Sequence, residues 1–278
     1  MTRTQDSPQP PEPQTVTRRH LLRLMGAAGF ATTVALAAAF PEVRRKTARA
    51  AHSEPEGDSS RRWTMIIDLS KCIGCQYCVY ACQAVNNVSD DMRWNVYLME
   101  RTRTGAIFHM TRPCLHCQEA PCADVCPTGA TYQRGDGLVV IDYDKCIGCR
   151  YCMVACPYGV RSFNWEDRSR QEPANIYQPH YGSPEVERRP RGVVEKCTFC
   201  IHRLDRGLAA GLTPGVDRAA TPACVNICPV RARIFGDRND PNSEVAQIIA
   251  TTPTFRLRED LGTEPNVFYI PAEGMVIT

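Results

Sequence analysis

The sequence predicts an α+β fold of duplicated units, and three observations point to it. Sixteen cysteines divide into four groups of four. A twelve-residue cysteine block starting at Lys71 recurs 74 residues later at Lys145, with nine of twelve positions identical. Short strand-like runs enter the cysteine loops and short helical runs leave them, and the 74-residue period is too long for a solenoid.

A chain of 278 residues accommodates one large domain or two modest ones, and 43% hydrophobic with 23% charged residues excludes general disorder. The formal charge of +3 is unevenly placed: residues 1–50 carry a net +5 and the remainder a net −2. The basic balance belongs to the leader, and nucleic-acid binding loses its electrostatic footing.

In that leader, Thr17-Arg18-Arg19-His20-Leu21-Leu22-Arg23 precedes an uncharged, Ala- and Gly-rich stretch over 24–41, followed by Arg44, Arg45, Lys46 and Ala48-Arg49-Ala50. A charged n-region, a moderate apolar run and a small-residue site describe an export signal. The paired arginines resemble a twin-arginine signal, although His20 and Leu21 replace the more usual residues after the pair. A membrane anchor is the alternative, weakened by the low hydrophobicity of Ala and Gly. The expected organisation is an export signal over 1–50, a linker over 51–62, a folded domain over 63–252 with an insertion at 164–192, and a tail over 253–278. No other uncharged apolar run approaches twenty residues, so membrane association is expected through a partner.

The cysteine groups are Cys72-x2-Cys75-x2-Cys78-x3-Cys82, Cys114-x2-Cys117-x4-Cys122-x3-Cys126-Pro127, Cys146-x2-Cys149-x2-Cys152-x3-Cys156-Pro157, and Cys197-x2-Cys200 followed after a gap by Cys224-x3-Cys228-Pro229. Three thiolates in a tight C-x2-C-x2-C loop wrap three corners of an iron–sulfur cube, with loop amides aimed at the sulfides. Gly74 and Gly148 sit where the backbone turns closely. The fourth cysteine is expected to begin a short helix and point away from its own loop. Pro127, Pro157 and Pro229 end these segments, whereas Gln83 follows Cys82.

Disulfides would use an even number of cysteines, but C-x2-C is a redox or metal spacing and a chain this long buries a core without staples. The twin-arginine signal also implies folding around a cofactor before export. Zinc knuckles lack the C-x2-C-x2-C-x3-C-P run, and no C-x2-C pair is followed by the His that c-type haem requires. Iron–sulfur coordination is the reading of all sixteen cysteines.

Around the motifs, strands are expected at 65–68 and 138–142, hairpins at 131–140 and 95–110, and helices at 79–85, 201–210 and 244–251. The glycines of Arg134-Gly135-Asp136-Gly137 are expected at positive φ, and the second hairpin to turn at Thr104-Gly105. The polar, Arg-, Glu- and Pro-rich insertion reads equally as a docking loop or a plain surface loop. A strand at 266–270 belongs to a tail wrapping the domain or another subunit. His116 and His202 lie beside cysteines, with a surface role weighed ahead of hydrogen bonding to sulfur.

Ala120-Pro121-Cys122, Cys126-Pro127-Thr128-Gly129-Ala130, Cys149-Arg-Tyr-Cys152-Met-Val-Ala-Cys156-Pro157-Tyr158 and Lys196-Cys-Thr-Phe-Cys200 resemble the four-cluster ferredoxin-like electron-transfer subunits of bacterial respiratory complexes. That family includes the small subunits of polysulfide, dimethyl sulfoxide and tetrathionate reductases and the periplasmic ferredoxins of nitrite-reduction and hydrogenase complexes. The likeness covers about 62–250. It implies a pseudo-two-fold arrangement of bacterial-ferredoxin-like units carrying four [4Fe-4S] clusters. Cys72, Cys75, Cys78 and Cys228 would hold one cluster, and Cys197, Cys200, Cys224 and Cys82 the next. Cys114, Cys117, Cys122 and Cys156 would hold a third, and Cys146, Cys149, Cys152 and Cys126 the fourth. Relatives with Trp in place of the second cysteine of group two hold a three-iron cluster there; this chain has Cys117.

The leader looks like that of periplasmic ferredoxins pairing with a polytopic quinone-interacting membrane subunit, with a multihaem cytochrome c or a molybdopterin subunit as further partner. Among these the likeness leans to the iron–sulfur subunit of the sulfite-reductase-associated membrane complex. The expected function is periplasmic single-electron relay in sulfur metabolism, without a catalytic site, since no thiol is spare and no nucleotide-binding loop is present. The alternative is the small subunit of a molybdopterin oxyanion reductase. With roughly −2 per oxidised cluster including its thiolates, the loaded mature chain carries about −10.

Overall fold

The computed structural model describes residues 57–89, 91–167 and 186–275. The export-signal reading of 1–50, the first six residues of the linker and most of the 164–192 insertion lie outside the described residues.

The framework is a three-stranded sheet with β1 (Trp63–Asp68) at its centre. This strand pairs antiparallel with β8 (Arg233–Asp237) on one edge and parallel with β9 (Val267–Ile270) on the other. Every residue of β1 is buried. The pleat sends Ile66 to one side, where it meets Ile234 and Val245, and sends Met65 and Ile67 to the other, into the main core. Val245 belongs to α6 (Glu244–Thr251), whose first turn is capped by Ser243 accepting from the Ala246 N–H at 3.1 Å.

Two hairpins flank the sheet. Strands β2 (Val96–Arg101) and β3 (Ile107–Arg112) pair with Leu98 opposite Met110. Strands β4 (Thr131–Gln133) and β5 (Val139–Ile141) pair with Tyr132 opposite Val140. In the second turn only Gly137 takes a positive φ, of 86°. Gly135 is required for another reason: a Cβ there would press on the Gly57 carbonyl oxygen at 2.8 Å. A fourth pairing joins β6 (Ser162–Phe163) to β7 (Val194–Glu195) across the insertion.

Helices α1 (Tyr77–Asn86), α2 (Pro121–Asp124), α3 (Tyr151–Ala155), α4 (Ile201–Ala209) and α5 (Ala223–Asn226) all start at or beside cysteines. The three expected helices are present, with α1 longer by two residues at its start and one at its end. The expected 138–142 strand is Val139–Ile141, and 266–270 shortens by one residue to become β9. The tail packs on its own domain: Tyr269 is fully buried, and Phe255 bridges it in antiparallel fashion. Among the described residues no helix is long and apolar enough to cross a membrane.

Candidate iron–sulfur centres

All sixteen cysteines are free of disulfides. In each group the first C-x2-C pair carries a left-handed residue at its third position: Gly74 (φ 72°), His116 (44°), Gly148 (67°) and Phe199 (54°). This conformation turns successive amides inward and makes a concave nest of N–H donors. Glycine marks the position in groups one and three, as the sequence indicates. In groups two and four it is held by His116 and Phe199, which residue type alone does not reveal.

The third cysteine of each group opens a helix: Cys78 in α1, Cys122 in α2, Cys152 in α3 and Cys224 in α5. This corrects the expectation that the fourth cysteine does so. Cys156 caps the end of α3, Cys126 and Cys228 follow α2 and α5, and Cys82 lies within α1.

The structure brings these sulfurs together across groups. Cys72, Cys75, Cys78 and Cys228 line one cleft, with Tyr97, Thr111 and Arg233 on its wall. Burial, followed by repulsion from Cys197, Cys200 and Cys224, pushes the Cys82 thiol well above its ordinary value. Burial and the nearby Cys114, Cys122 and Cys156 push Cys117 up to about 12. Burial also raises Cys152, which faces Cys126 and Cys146. Cys149 sits half-exposed in the same loop as Cys146 and Cys152. Each set thus joins sulfurs from one loop with a sulfur from another group.

Hydrogen-bond donors point at these sulfurs. The Phe199 N–H reaches Cys197 Sγ at 3.4 Å, Thr131 N–H reaches Cys126 Sγ at 3.3 Å and Ala232 N–H reaches Cys228 Sγ at 3.2 Å. Asn86 Nδ2 lies 3.6 Å from Cys82 Sγ and 3.5 Å from Cys200 Sγ, and Arg161 Nη2 donates to Cys122 Sγ at 2.8 Å. Against the pull of burial, hydrogen bonds from Thr131, Thr128 and Ala130 hold Cys126 below the usual thiol range. Among the described residues no three Cys, His, Asp or Glu side chains converge tightly enough for one bare ion. Facing sulfurs with inward N–H donors fit a polynuclear iron–sulfur cluster.

Burial separates the sets. Cys82, Cys197, Cys200 and Cys224 are buried, as are Cys114, Cys117 and Cys122. The outer loops are half-exposed at Cys72, Cys75 and Cys78 and at Cys146 and Cys149. Apolar residues rim both: Ile73, Tyr77 and Tyr80 around the first, Ile147, Tyr151 and Val154 around the second, at equivalent positions of the repeated block.

His116 is fully buried, which corrects the expected surface role. Its Nδ1 accepts the Val139 N–H at 3.0 Å, and its ring lies 4.0 Å from that of Phe199. Burial first, then the charges of Lys196 and Arg161, hold it well below the ordinary histidine range, so it is neutral. His202 is half-buried in the first turn of α4.

A cradle of this kind defines a protein that binds iron–sulfur clusters. Residues 71–130 and 145–232 match the 4Fe-4S dicluster domain family, and residues 105–172 match a second family model of the same description. The chain is 42% identical to a selenate reductase subunit of Mesobacillus selenatarsenatis, over 75% of this chain and 72% of that one. It is 37% identical to Hdr-like menaquinol oxidoreductase iron–sulfur subunit 1 of Archaeoglobus fulgidus, over 93% and 99%. It is 35% identical to a polysulfide reductase polypeptide of Wolinella succinogenes, over 76% and 95%. The chain belongs to this family of ferredoxin-like, iron–sulfur electron-transfer subunits of oxidoreductase complexes.

Proposed function

We propose that the chain is an exported relay, carrying single electrons between a polytopic quinone-interacting membrane subunit and a further redox partner in sulfur-linked respiration. That partner is a multihaem cytochrome c or a molybdopterin subunit. One observation carries the reading: sulfurs gathered across groups, one set enclosed, another enclosed except at Cys156, and two reaching half-exposed loops with apolar rims. Four [4Fe-4S] clusters would supply the one-electron carriers.

Cys72, Cys75, Cys78 and Cys228 would hold the first cluster, and Cys82, Cys197, Cys200 and Cys224 the second. Cys114, Cys117, Cys122 and Cys156 would hold the third, and Cys126, Cys146, Cys149 and Cys152 the fourth. The two rims would meet the partners at opposite ends of this series. The matching left-handed residues in the repeated loops support a duplicated, pseudo-two-fold arrangement. With 1–50 as a twin-arginine signal, 51–62 as linker, 63–252 as the domain and 253–278 as tail, the protein would work in the periplasm, peripheral to the inner membrane. It would have no catalytic site of its own, every thiol being a ligand.

The Archaeoglobus relative, a menaquinol oxidoreductase subunit matched over 99% of its length, supports the quinone-linked reading. The selenate and polysulfide reductase relatives favour the second reading, the small subunit of a molybdopterin oxyanion reductase. Anaerobic purification with iron analysis tests the site. About sixteen irons per chain are expected, and fewer than about twelve would sink the four-cluster version. Reduction of the loaded chain by a quinol only when the membrane subunit is present would support the first reading. Purification with a molybdopterin subunit instead would select the second.

A further inference from the structure

Buried arginines in this fold come in two kinds. Arg134 pairs with Asp136 and Asp205, and Arg189 with Glu195, as an interior guanidinium ordinarily must. Arg161, Lys196 and Arg233 are at least as well buried, at 6%, 0% and 4% exposed, yet among the described residues none forms an ion pair with a carboxylate. Their polar partners are neutral groups or sulfur. Arg233 donates to Asn95 Oδ1 at 2.7 Å, Thr111 Oγ1 at 2.5 Å and Met65 Sδ at 3.3 Å. Lys196 donates to the carbonyls of Val139 and Cys197. Arg161 donates to Thr131 Oγ1 at 3.4 Å and to Cys122 Sγ at 2.8 Å.

Each cation faces two different sulfur sets. Arg233 lines the cleft of Cys72, Cys75, Cys78 and Cys228 and interacts with Cys224 of the next set. Lys196 adjoins Cys197 and faces Cys114 and Cys122. Arg161 bonds Cys122 and faces Cys152. The order is set one, Arg233, set two, Lys196, set three, Arg161, set four. Arg161 and Arg233 keep their charge, and although burial pulls Lys196 down, Cys114, Cys197 and Cys122 push it back up, so the counter-charge of all three is the sulfur sets themselves.

We propose that Arg233, Lys196 and Arg161 occupy the three gaps between successive clusters and raise the reduction potentials of the two clusters flanking each. The inference rests on the four-cluster reading. An electron arriving at a set adds one negative charge, which the adjacent cation stabilises. When it moves on, the set it leaves loses one negative charge and the set it enters gains one, on opposite sides of the same cation. The reduced form is favoured on both sides, and no direction is imposed.

The test is potentiometric EPR on the loaded full chain and its Arg161→Gln, Arg161→Lys and Arg233→Gln variants. Gln can keep an N–H on sulfur while removing the charge. With iron content unchanged, Arg161→Gln should lower two of four potentials, each by a tenfold change in the reduced-to-oxidised ratio or about 59 mV. Arg161→Lys should restore most of that shift, and Arg233→Gln should move a different pair. Unmoved potentials overturn the proposal, as do a Lys variant shifted as far as Gln and a Gln variant unable to hold its iron. A wild-type chain short of about sixteen irons instead overturns the cluster reading beneath it.

Discussion

The rings of His116 and Phe199 pack against each other at 4.0 Å between centroids, each from a left-handed position inside its own C-x2-C loop. Left-handed backbone costs a bulky residue about 1–2 kcal/mol, and burial of both rings offsets it. Phe199 also meets Phe235 edge-on at 5.4 Å, which ties the loop to β8. Phe199→Ala should therefore destabilise the chain by about 3–5 kcal/mol, since alanine keeps the left-handed cost and loses the packing. Thermal unfolding of the loaded protein measures the loss. A variant as stable as wild type would mean that the ring packing contributes nothing here.

Gly74 and Gly148 occupy the same place in the repeated block but face different neighbours. A Cβ on Gly148 would run into the Gly192 carbonyl oxygen, whereas one on Gly74 would meet the His109 ring at 2.6 Å. A side chain can turn aside, and backbone can do so only by moving the loop. Both alanine variants carry the positive-φ cost of about 1–2 kcal/mol. Gly148→Ala should additionally lose iron, and Gly74→Ala should retain it. Iron analysis of the two purified variants checks this; equal retention would count against the backbone contact.

Cross-group coordination makes a non-additive prediction. Cys82→Ser and Cys197→Ser should each cost the same cluster, so the double variant loses no more iron than either single one. Cys82→Ser with Cys75→Ser should lose two clusters although both residues lie in group one. Iron counts across this set decide it. Additive loss for the Cys82 and Cys197 pair would place Cys82 with its own loop.

Asp68 and Asp142 precede Cys72 and Cys146 by four residues. Asp68 accepts from the Ser70 N–H and hydroxyl and pairs with Lys71 at 3.0 Å; Asp142 pairs with Lys145 at 2.8 Å. Burial opposes ionisation of Asp68, but the bonds from Ser70 and Lys71 outweigh it and hold the carboxyl below its ordinary range. The Lys145 hydrogen bond is the leading cause for Asp142. A carboxyl lowered by folding stabilises fully above about pH 4, and that contribution fades as pH falls through the lower folded value. Asp68→Asn should thus cost about 1–3 kcal/mol from pH 8 to 5. The gap to wild type should narrow below about pH 4, as thermal unfolding at each pH would show. A gap that widens in acid would contradict this.

Much of the fold was legible because its signals are local. The helix expected at 244–251 is α6 to the residue, and the repeated block marks two loops with their glycines. The short helices α2, α3 and α5 escaped because four or five residues carry too little periodicity to register. The insertion concealed the β6–β7 pairing for a related reason, since its two-residue strands meet across a polar loop.

By itself the sequence determined the chemistry of the site: sixteen thiols at spacings that confine three sulfurs to one loop, a constraint imposed by a few covalent bonds. Only the tertiary structure decided which charges and rings surround those sulfurs. His116 looked like a surface histidine until Val139 and Phe199 closed over it from 23 and 83 positions away. Arg161, Lys196 and Arg233 were ordinary cations in the sequence, and each meets core partners 39, 57 and 138 residues distant. Loop geometry is fixed by neighbours along the chain. The burial of a charge depends on what the rest of the chain places across the core.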